Sequence, residues 1–284
     1  MATLRQIRRR IRSVENTRQI TKAMEMVAAA KLRRAQTVAE AIRPYTSKMQ
    51  EVLESLAQSP EIRVDPLFEV REVKREAWVI VASDKGLCGS YNANVFRRME
   101  QRLAGRDLAE VRLIPVGRRA LNFFRRREWA HSKDYPELGD QLDLSLATRL
   151  AREAAQLFAT REVDRVQIVH THFVSTASRR IVEEKLLPIE PPAAGEKTER
   201  DYIFEPSAEE ILRLLLPRYV EGRIRTAIAD SLASEHSARM LSMGNATRNA
   251  GEMIRSLTLA ANKARQAAIT KELTEIVGGA EALR

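Results

Sequence analysis

A glycine-containing loop, SDKGLCG at residues 83–89, is the first stretch whose residue types could do chemistry. It follows the apolar run WVIVA at 78–82 and precedes a helical pattern, which is the order found in phosphate-binding loops. The loop lacks the G-x-G-x-x-G spacing and also the Lys-Ser/Thr pair of the Walker pattern. The sequence therefore favours a structural turn over a nucleotide site.

Two histidines and one cysteine are the other candidates for chemistry. His170 and His172 share one face of a predicted strand, but no cluster of Cys, His or Asp stands nearby to complete a metal site. Cys88 would need a positioned base to act as a nucleophile, and the sequence nominates none. We therefore predict no catalytic residue, no metal and no other cofactor. As the only cysteine, Cys88 excludes an intrachain disulfide and favours a reducing compartment.

The sharpest charge feature is the cluster Arg8, Arg9, Arg10 and Arg12. The formal net charge is +10, and the excess lies in the N-terminal arm, where residues 1–58 carry 12 Lys and Arg against 5 Asp and Glu. Such a run is often only a solvated helix face. Its functional interpretation is a surface for an anionic partner, which could be nucleic acid, lipid headgroups or an acidic protein.

The element that carries this cluster is a long helix, predicted over residues 2–57. Leu4, Ile7, Ile11 and Val14 follow the 3-4-3 spacing of a coiled coil. The apolar stripe continues through Ile20, Met24, Val27, Ala28, Leu32, Ala35, Ala39 and Ile42. Pro44 predicts a kink near Arg43.

The last third of the chain predicts a second long helix. A capping-box pattern, Ser207 with Glu210, indicates a short helix to Leu216, and Pro217 suits the first turn of a terminal helix. No proline follows, and apolar residues recur with helical period, so this helix would be roughly 100 Å long. A helix of that length must leave its own domain. Pairing the two striped helices as an antiparallel coiled coil buries both stripes.

The middle of the chain alternates strand and helix patterns. Strands are predicted at 78–82, 111–116, 166–173 and 179–187, with helices at 92–103, 118–127 and 144–159. We therefore predict an α/β fold class: a long antiparallel coiled coil of the N- and C-terminal helices plus a small, mostly parallel, Rossmann-like head domain. The predicted domains are a coiled-coil helix at 1–58, the head at 59–206 and a second coiled-coil helix at 207–284.

No apolar run approaches the roughly 18 residues that a membrane span needs. The Arg-rich, amphipathic N-terminus is also typical of mitochondrial transit peptides. Glu15, Glu25 and the helical pattern that continues to Ile42 argue against a cleaved leader.

Four stretches now point to a known family. They are ITKAMEMVAAAK at 20–31, SDKGLCG at 83–89, EHSARM at 235–240 and ARQAAITKELTEIVGGA at 264–280. In this order, and over the whole chain, the sequence resembles the gamma subunit of F-type ATP synthase. The last stretch is similar to that family's C-terminal signature over its full length.

The resemblance implies a rotor shaft that is not itself a catalyst. The coiled coil would stand inside a ring of alternating alpha and beta subunits, and the head with the epsilon subunit would sit on the membrane c-ring. Proton flow would turn the shaft, which would drive each beta subunit through its conformational states. The chain would be a peripheral protein on the cytoplasmic side of a bacterial inner membrane, bound to the membrane only through the c-ring.

The resemblance also implies roles for particular residues. Arg265, Gln266 and Thr270 would meet a loop of the beta subunits. Lys22 and Met24 would form a collar that meets an acidic segment of beta, and the basic excess around Arg8, Arg9, Arg10 and Arg12 matches an anionic partner. Tyr202 and Glu205 resemble positions that face the c-ring. Chloroplast gamma subunits carry an inserted loop with a redox-active cysteine pair. Here Cys88 is the only cysteine and no such insert appears, so redox control is not expected.

The alternative is a basic coiled-coil protein that binds nucleic acid. It shares the high pI and the long helices. It does not account for the C-terminal signature or for a charge excess confined to one arm, and the chain lacks the interleaved aromatics that nucleic-acid binding favours. We therefore expect no nucleic-acid partner.

Overall fold

The computed structural model describes residues 3–56, 65–127, 129, 131–189 and 207–281. In chain order the helices and strands are α1 (Leu4–Leu56), β1 (Glu76–Val81), α2 (Tyr91–Leu103), β2 (Val111–Val116), α3 (Arg118–Arg125), α4 (Leu144–Ala159), β3 (Arg165–Phe173), β4 (Arg179–Leu187) and α5 (Ala208–Glu281). Two short 3-10 turns occur at Pro66–Phe68 and Leu108–Glu110. The predicted fold class is confirmed.

The four strands form one sheet in the order β2-β1-β3-β4. β1 is parallel to both β2 and β3, and β4 returns antiparallel beside β3 through a short hairpin. The sheet is therefore mostly parallel, as the alternation of strand and helix patterns predicts.

Alternate side chains of β1 enter two different apolar layers. Ala77, Val79 and Val81 pack with α4 and α5, while Trp78 and Ile80 pack with α2 and α3. Both faces of the sheet are covered by helices, so β1 reads as one continuous apolar run rather than as an alternating pattern. This packing fixes the loops that follow β1, β2 and β3 at one edge of the sheet.

α5 corrects one prediction. It is a single helix from Ala208 to Glu281 with Pro217 inside it, rather than a short helix followed by a new one. The Ser207 hydroxyl accepts a hydrogen bond from the Glu210 amide at 3.2 Å, so half of the predicted capping box is formed. Leu216 and Val220 are buried on both sides of the proline, and this packing offsets the hydrogen bond that Pro217 cannot donate. α1 likewise continues from Leu4 to Leu56 through Pro44.

The described residues divide into two compact units. The first contains residues 1–28 and 240–284, and in it the two long helices pair antiparallel. The Thr247 hydroxyl donates to the Thr21 hydroxyl at 2.8 Å, and a methyl group added at Gly244 would lie 3.4 Å from the Glu25 carboxylate. Pairing of residue 21 with 247 and of residue 25 with 244 is the register of an antiparallel coiled coil.

The second unit contains residues 29–239, including the sheet and the remaining parts of the two long helices. Thr46 and Thr226 bring their hydroxyl oxygens to 3.4 Å, so the helices are paired here as well. Within the described chain, no helix is both long enough and apolar enough to cross a membrane.

The predicted apolar stripe is only partly buried. Ile7, Ala28, Ala250 and Ala261 are buried within the first unit. Ile20 and Val27, which the periodicity assigns to the same stripe, are 60% and 54% exposed. One helix partner covers a narrow seam, whereas the apolar face of α1 is wider than that seam.

Candidate partner-binding surfaces

The last turns of α5 form an exposed segment that we call the tip, residues 265–277. Arg265, Gln266 and Thr270 are all exposed there, and the Thr270 hydroxyl donates to the Gln266 carbonyl at 3.0 Å. Four large apolar side chains are also 49–69% exposed, namely Ile269, Leu273, Ile276 and Val277. Large apolar side chains that cluster in solvent mark an interaction surface. The predicted polar residues therefore stand within an apolar surface.

The predicted collar lies on α1. Lys22 is exposed and pairs with Glu25 at 3.3 Å, while Met24 is half-buried. Met26 beside it is 58% exposed, so this part of α1 offers apolar surface as well as charge. Because Glu25 already partners Lys22, the positive charge available to another protein is smaller than the sequence suggests.

The basic cluster is a solvent-facing surface. Arg8, Arg9, Arg10 and Arg12 are all exposed, and none forms an ion pair with another described residue. Successive residues of a helix point about 100° apart, so these guanidinium groups spread over roughly half of the circumference of α1 rather than forming one narrow stripe.

The structure does not join the collar and the tip into one site. Thr21 faces Thr247 across the coiled coil, and Arg265 lies 18 residues further along α5, about 27 Å at the rise of an α-helix. Tyr202 and Glu205, the residues assigned to the c-ring, lie outside the described residues.

A buried polar stretch of α5 has a role that its sequence pattern does not indicate. We call residues 230–239 the polar segment. Its charged and hydroxyl-bearing residues are all at most 9% exposed, and they are Asp230, Ser231, Ser234, Glu235, His236, Ser237 and Arg239. Buried polar groups are costly unless they are paired, so each needs an identified partner.

The polar segment bonds to loops and to the β3–β4 hairpin at one edge of the sheet. The Arg239 guanidinium donates to the Gly86 carbonyl at 3.2 Å and to the Glu235 carboxylate at 2.6 Å. His236 Nε2 donates to the Asp140 carbonyl at 3.3 Å. Ser234 donates to the Thr171 carbonyl at 3.0 Å. These bonds fix the rotation of α5 about its own axis relative to the sheet, which packing of apolar side chains alone would define less strictly.

Burial shifts two pKa values within this segment in opposite directions. Burial raises the pKa of Glu235 to about 6, although Arg239 favours the carboxylate. Burial lowers the pKa of His236 to about 4, and the positive charges of Arg239 and Lys31 act in the same direction. His236 is therefore neutral at pH 7, which agrees with its role as a single donor.

The loop at residues 83–89 is held to its neighbours by hydrogen bonds to the Asp84 side chain. The Asp84 carboxylate accepts backbone N–H groups of Arg118 at 3.0 Å, of Leu138 at 3.1 Å and of Gly139 at 2.9 Å. Asp84 therefore links the loop after β1 to the loop after β2. No local sequence pattern predicted this role. Cys88 is buried, and this burial raises the pKa of its thiol.

The two strand histidines each bind a carboxylate. His170 contacts Glu184 at 3.2 Å, and this contact, followed by that of Arg223, lowers the pKa of Glu184 to about 2. His172 pairs closely with Asp230 of the polar segment. Among the described residues, no group of three or more His, Cys, Asp or Glu side chains could hold a metal ion.

Comparison with known proteins covers almost the entire chain. A family model described as ATP synthase matches residues 3–283. The ATP synthase gamma chain of Moorella thermoacetica is 46% identical over 286 residues, and that of Desulfitobacterium hafniense is 48% identical over 283, with 100% of both chains covered in each case.

Solved structures show the same fold. A central stalk and c-ring structure of Tetrahymena thermophila mitochondrial ATP synthase contains a chain that is 25% identical, with a TM-score of 0.62 over 80% of this chain and 99% of that one. A chain of the Euglena gracilis mitochondrial ATP synthase gives a TM-score of 0.70 at 20% identity over 99% and 94%. These likenesses do not favour the nucleic-acid alternative.

Proposed function

The chain belongs to the family of ATP synthase gamma chains, and from this premise we propose that it is the rotor shaft that couples proton-driven c-ring rotation to conformational cycling of the catalytic alpha/beta ring. As a gamma chain it is a non-catalytic subunit of the complex. The observation that best supports the proposal is α5 itself. This one helix carries both the polar segment, which is bonded to the edge of the sheet, and the exposed apolar tip.

The tip is the part that we propose to contact the catalytic ring. Arg265 and Gln266 would make polar contacts with a loop of beta, and Thr270 would lie beside them. Such contacts form and break with shaft angle, because guanidinium and amide groups bond only in defined directions. The exposed apolar residues of the tip would be covered by the surrounding subunits.

The collar and the basic cluster are proposed to meet beta at a second level. Lys22, Met24 and Arg8, Arg9, Arg10 and Arg12 would face an acidic segment of beta. Support comes from the exposure of Lys22 and of the four arginines, together with the apolar surface of Ile20, Met26 and Val27.

The remaining partners follow from the same proposal. The head at residues 59–206 and the epsilon subunit would bind the c-ring, with Tyr202 and Glu205 facing it, while residues 1–58 and 207–284 would form the shaft. The chain would be a peripheral protein on the cytoplasmic side of a bacterial inner membrane.

ATP synthesis would follow because each shaft orientation stabilises one state of each beta site. By linkage, nucleotide occupancy would bias the shaft orientation in return.

Co-expression tests the proposal. The chain should co-purify with alpha and beta subunits from the same source as a complex of three alpha, three beta and one gamma that hydrolyses ATP. Removal of the residues from Arg265 onward should weaken coupling or assembly without unfolding the rest, because every described side chain in 265–277 is exposed. Failure to join alpha and beta, with a steep salt-dependent binding of DNA instead, would contradict the proposal.

A further inference from the structure

A small polar cavity lies between the start of α2 and the β3–β4 hairpin. Its volume is about 210 Å³, and its polar lining comes from Ser90, Tyr91, Asn94, Thr171, Ser178 and Arg179. The rotor function described above does not use this cavity. Ser90 and Ser178 are exposed at its mouth, whereas Tyr91 and Thr171 are buried.

Arg179 is an unusual cation for this protein. Every other arginine that is buried or half-buried in the described chain pairs with a carboxylate: Arg71 with Glu69, Arg165 with Glu76, Arg223 with Glu184, Arg225 with Glu221 and Arg239 with Glu235. Half-buried Arg179 instead donates one hydrogen bond to the Ser237 hydroxyl at 3.3 Å and has no carboxylate partner among the described residues. Burying a guanidinium group without a counter-charge costs desolvation free energy, so an anion bound beside Arg179 would be stabilising.

Two buried hydroxyls of the same cavity are also unpartnered. The Tyr91 and Thr171 residues are 4% and 5% exposed, and neither hydroxyl has a well-aligned hydrogen bond to a described residue, although the Thr171 and Ser231 hydroxyls lie close to that of Tyr91. An acceptor placed in the cavity would satisfy both groups. Ser90 precedes the 13-residue helix α2 without capping it through its side chain, so the positive end of the helix dipole lies at this wall.

We propose that this cavity binds a small tetrahedral oxyanion of the phosphate class, with Arg179 as its counter-charge and the hydroxyls of Tyr91 and Thr171 as donors. The volume lies below the roughly 300 Å³ at which pockets for larger ligands begin, so a nucleotide does not fit. Glu235 is the carboxylate that interacts electrostatically with Tyr91, and its charge is offset by Arg239. The proposal is independent of the rotor function.

Calorimetric titration of the full chain with sodium phosphate, at constant ionic strength set by sodium chloride, tests the proposal. We expect one phosphate per chain and an increase in the melting temperature over chloride alone. Arg179→Gln should weaken binding at least about tenfold, since charge-assisted bonds to a dianion are lost. Arg180→Gln is the matched control, because Arg180 is the next residue, is exposed and points to the other face of β4. Its affinity should remain that of the unmodified chain.

Tyr91→Phe gives a second, independent test. It should weaken phosphate binding, yet leave the melting temperature in phosphate-free buffer unchanged or higher, because a buried unpaired hydroxyl is removed. If phosphate acts no differently from chloride, or if Arg179→Gln and Arg180→Gln behave alike, the proposal is wrong. Should Arg179→Gln not fold, the unmodified chain and Tyr91→Phe still decide the question.

Discussion

At the scale of single residues, the polar segment couples two titrating groups with opposite effects on stability. His236 has its pKa lowered to about 4, so between pH 6.5 and 4 the unfolded chain binds more protons and stability falls as the pH falls. Glu235 has its pKa raised to about 6, so between pH 6 and 4.5 the folded chain binds more protons and stability rises as pH falls. The two contributions partly cancel in the native sequence.

Replacing each group should reveal its contribution. His236→Gln keeps a donor for the Asp140 carbonyl but removes the titrating group. The native chain's loss of up to about 3 kcal/mol of unfolding free energy on acidification should therefore disappear. Glu235→Gln should act in the opposite direction and steepen the loss by up to about 2 kcal/mol. Urea unfolding at pH 7 and pH 4.5 measures both changes. The same change in pH dependence for both variants would contradict this account of the polar segment.

A backbone position after β2 provides a second prediction. Gly117 has a φ of +92°, and a methyl group there would lie 2.1 Å from the Ala82 carbonyl oxygen. Gly117→Ala should therefore cost at least about 3 kcal/mol of unfolding free energy. The new methyl group would clash with backbone atoms, and the positive φ would add conformational strain.

Gly105 is the matched control for this substitution. Its φ is +75°, but a methyl group would meet nothing within 4 Å. Gly105→Ala should cost only about 1 kcal/mol, the strain of the left-handed conformation alone. Equal losses for the two variants in denaturant unfolding would show that the close approach of Gly117 to Ala82 does not matter.

At the scale of elements, the sequence predicted nearly all helices and strands because their periods are visible in it. The prediction of a helix boundary at Pro217 was wrong. A proline often marks a helix boundary, but packing of the buried residues Leu216 and Val220 keeps α5 continuous. The sequence also overestimated the buried stripe, since periodicity assigns Ile20 and Val27 to a seam too narrow to cover them. Asp84 and Arg239 escaped detection because their bonds join residues 34 to 153 positions apart.

The tip of α5 gives a prediction at this scale. Ile276 is 69% exposed, so Ile276→Gln should leave the melting temperature of the isolated chain unchanged. The same variant should reduce the yield of the complex with alpha and beta, because an apolar contact with the ring is lost. Leu214→Gln is the matched control: Leu214 is equally exposed at 69% on the same helix but lies outside the tip. Assembly that is reduced equally by both variants would contradict a specific role of the tip.

At the scale of the whole molecule, we propose that this non-catalytic subunit is a mechanical part of the complex. The polar segment bonds α5 to the edge of the sheet, so a torque applied to the head would act on hydrogen bonds and an ion pair as well as on apolar packing. Family membership could be predicted from four stretches of sequence. The buried polar segment could not, since a helical period records only where apolar residues recur.

The proposed rotor function is tested by observing rotation of the chain within the complex. Arg97 on α2 is exposed, and Cys88 is buried, so a probe coupled through Arg97→Cys would label the head at one place. The complex of this variant with alpha and beta would be immobilised through the ring and observed singly during ATP hydrolysis. The account predicts that the probe turns in one direction while ATP is present and stops when ATP is removed. A complex that hydrolyses ATP with the chain bound, while the probe does not turn, would contradict it.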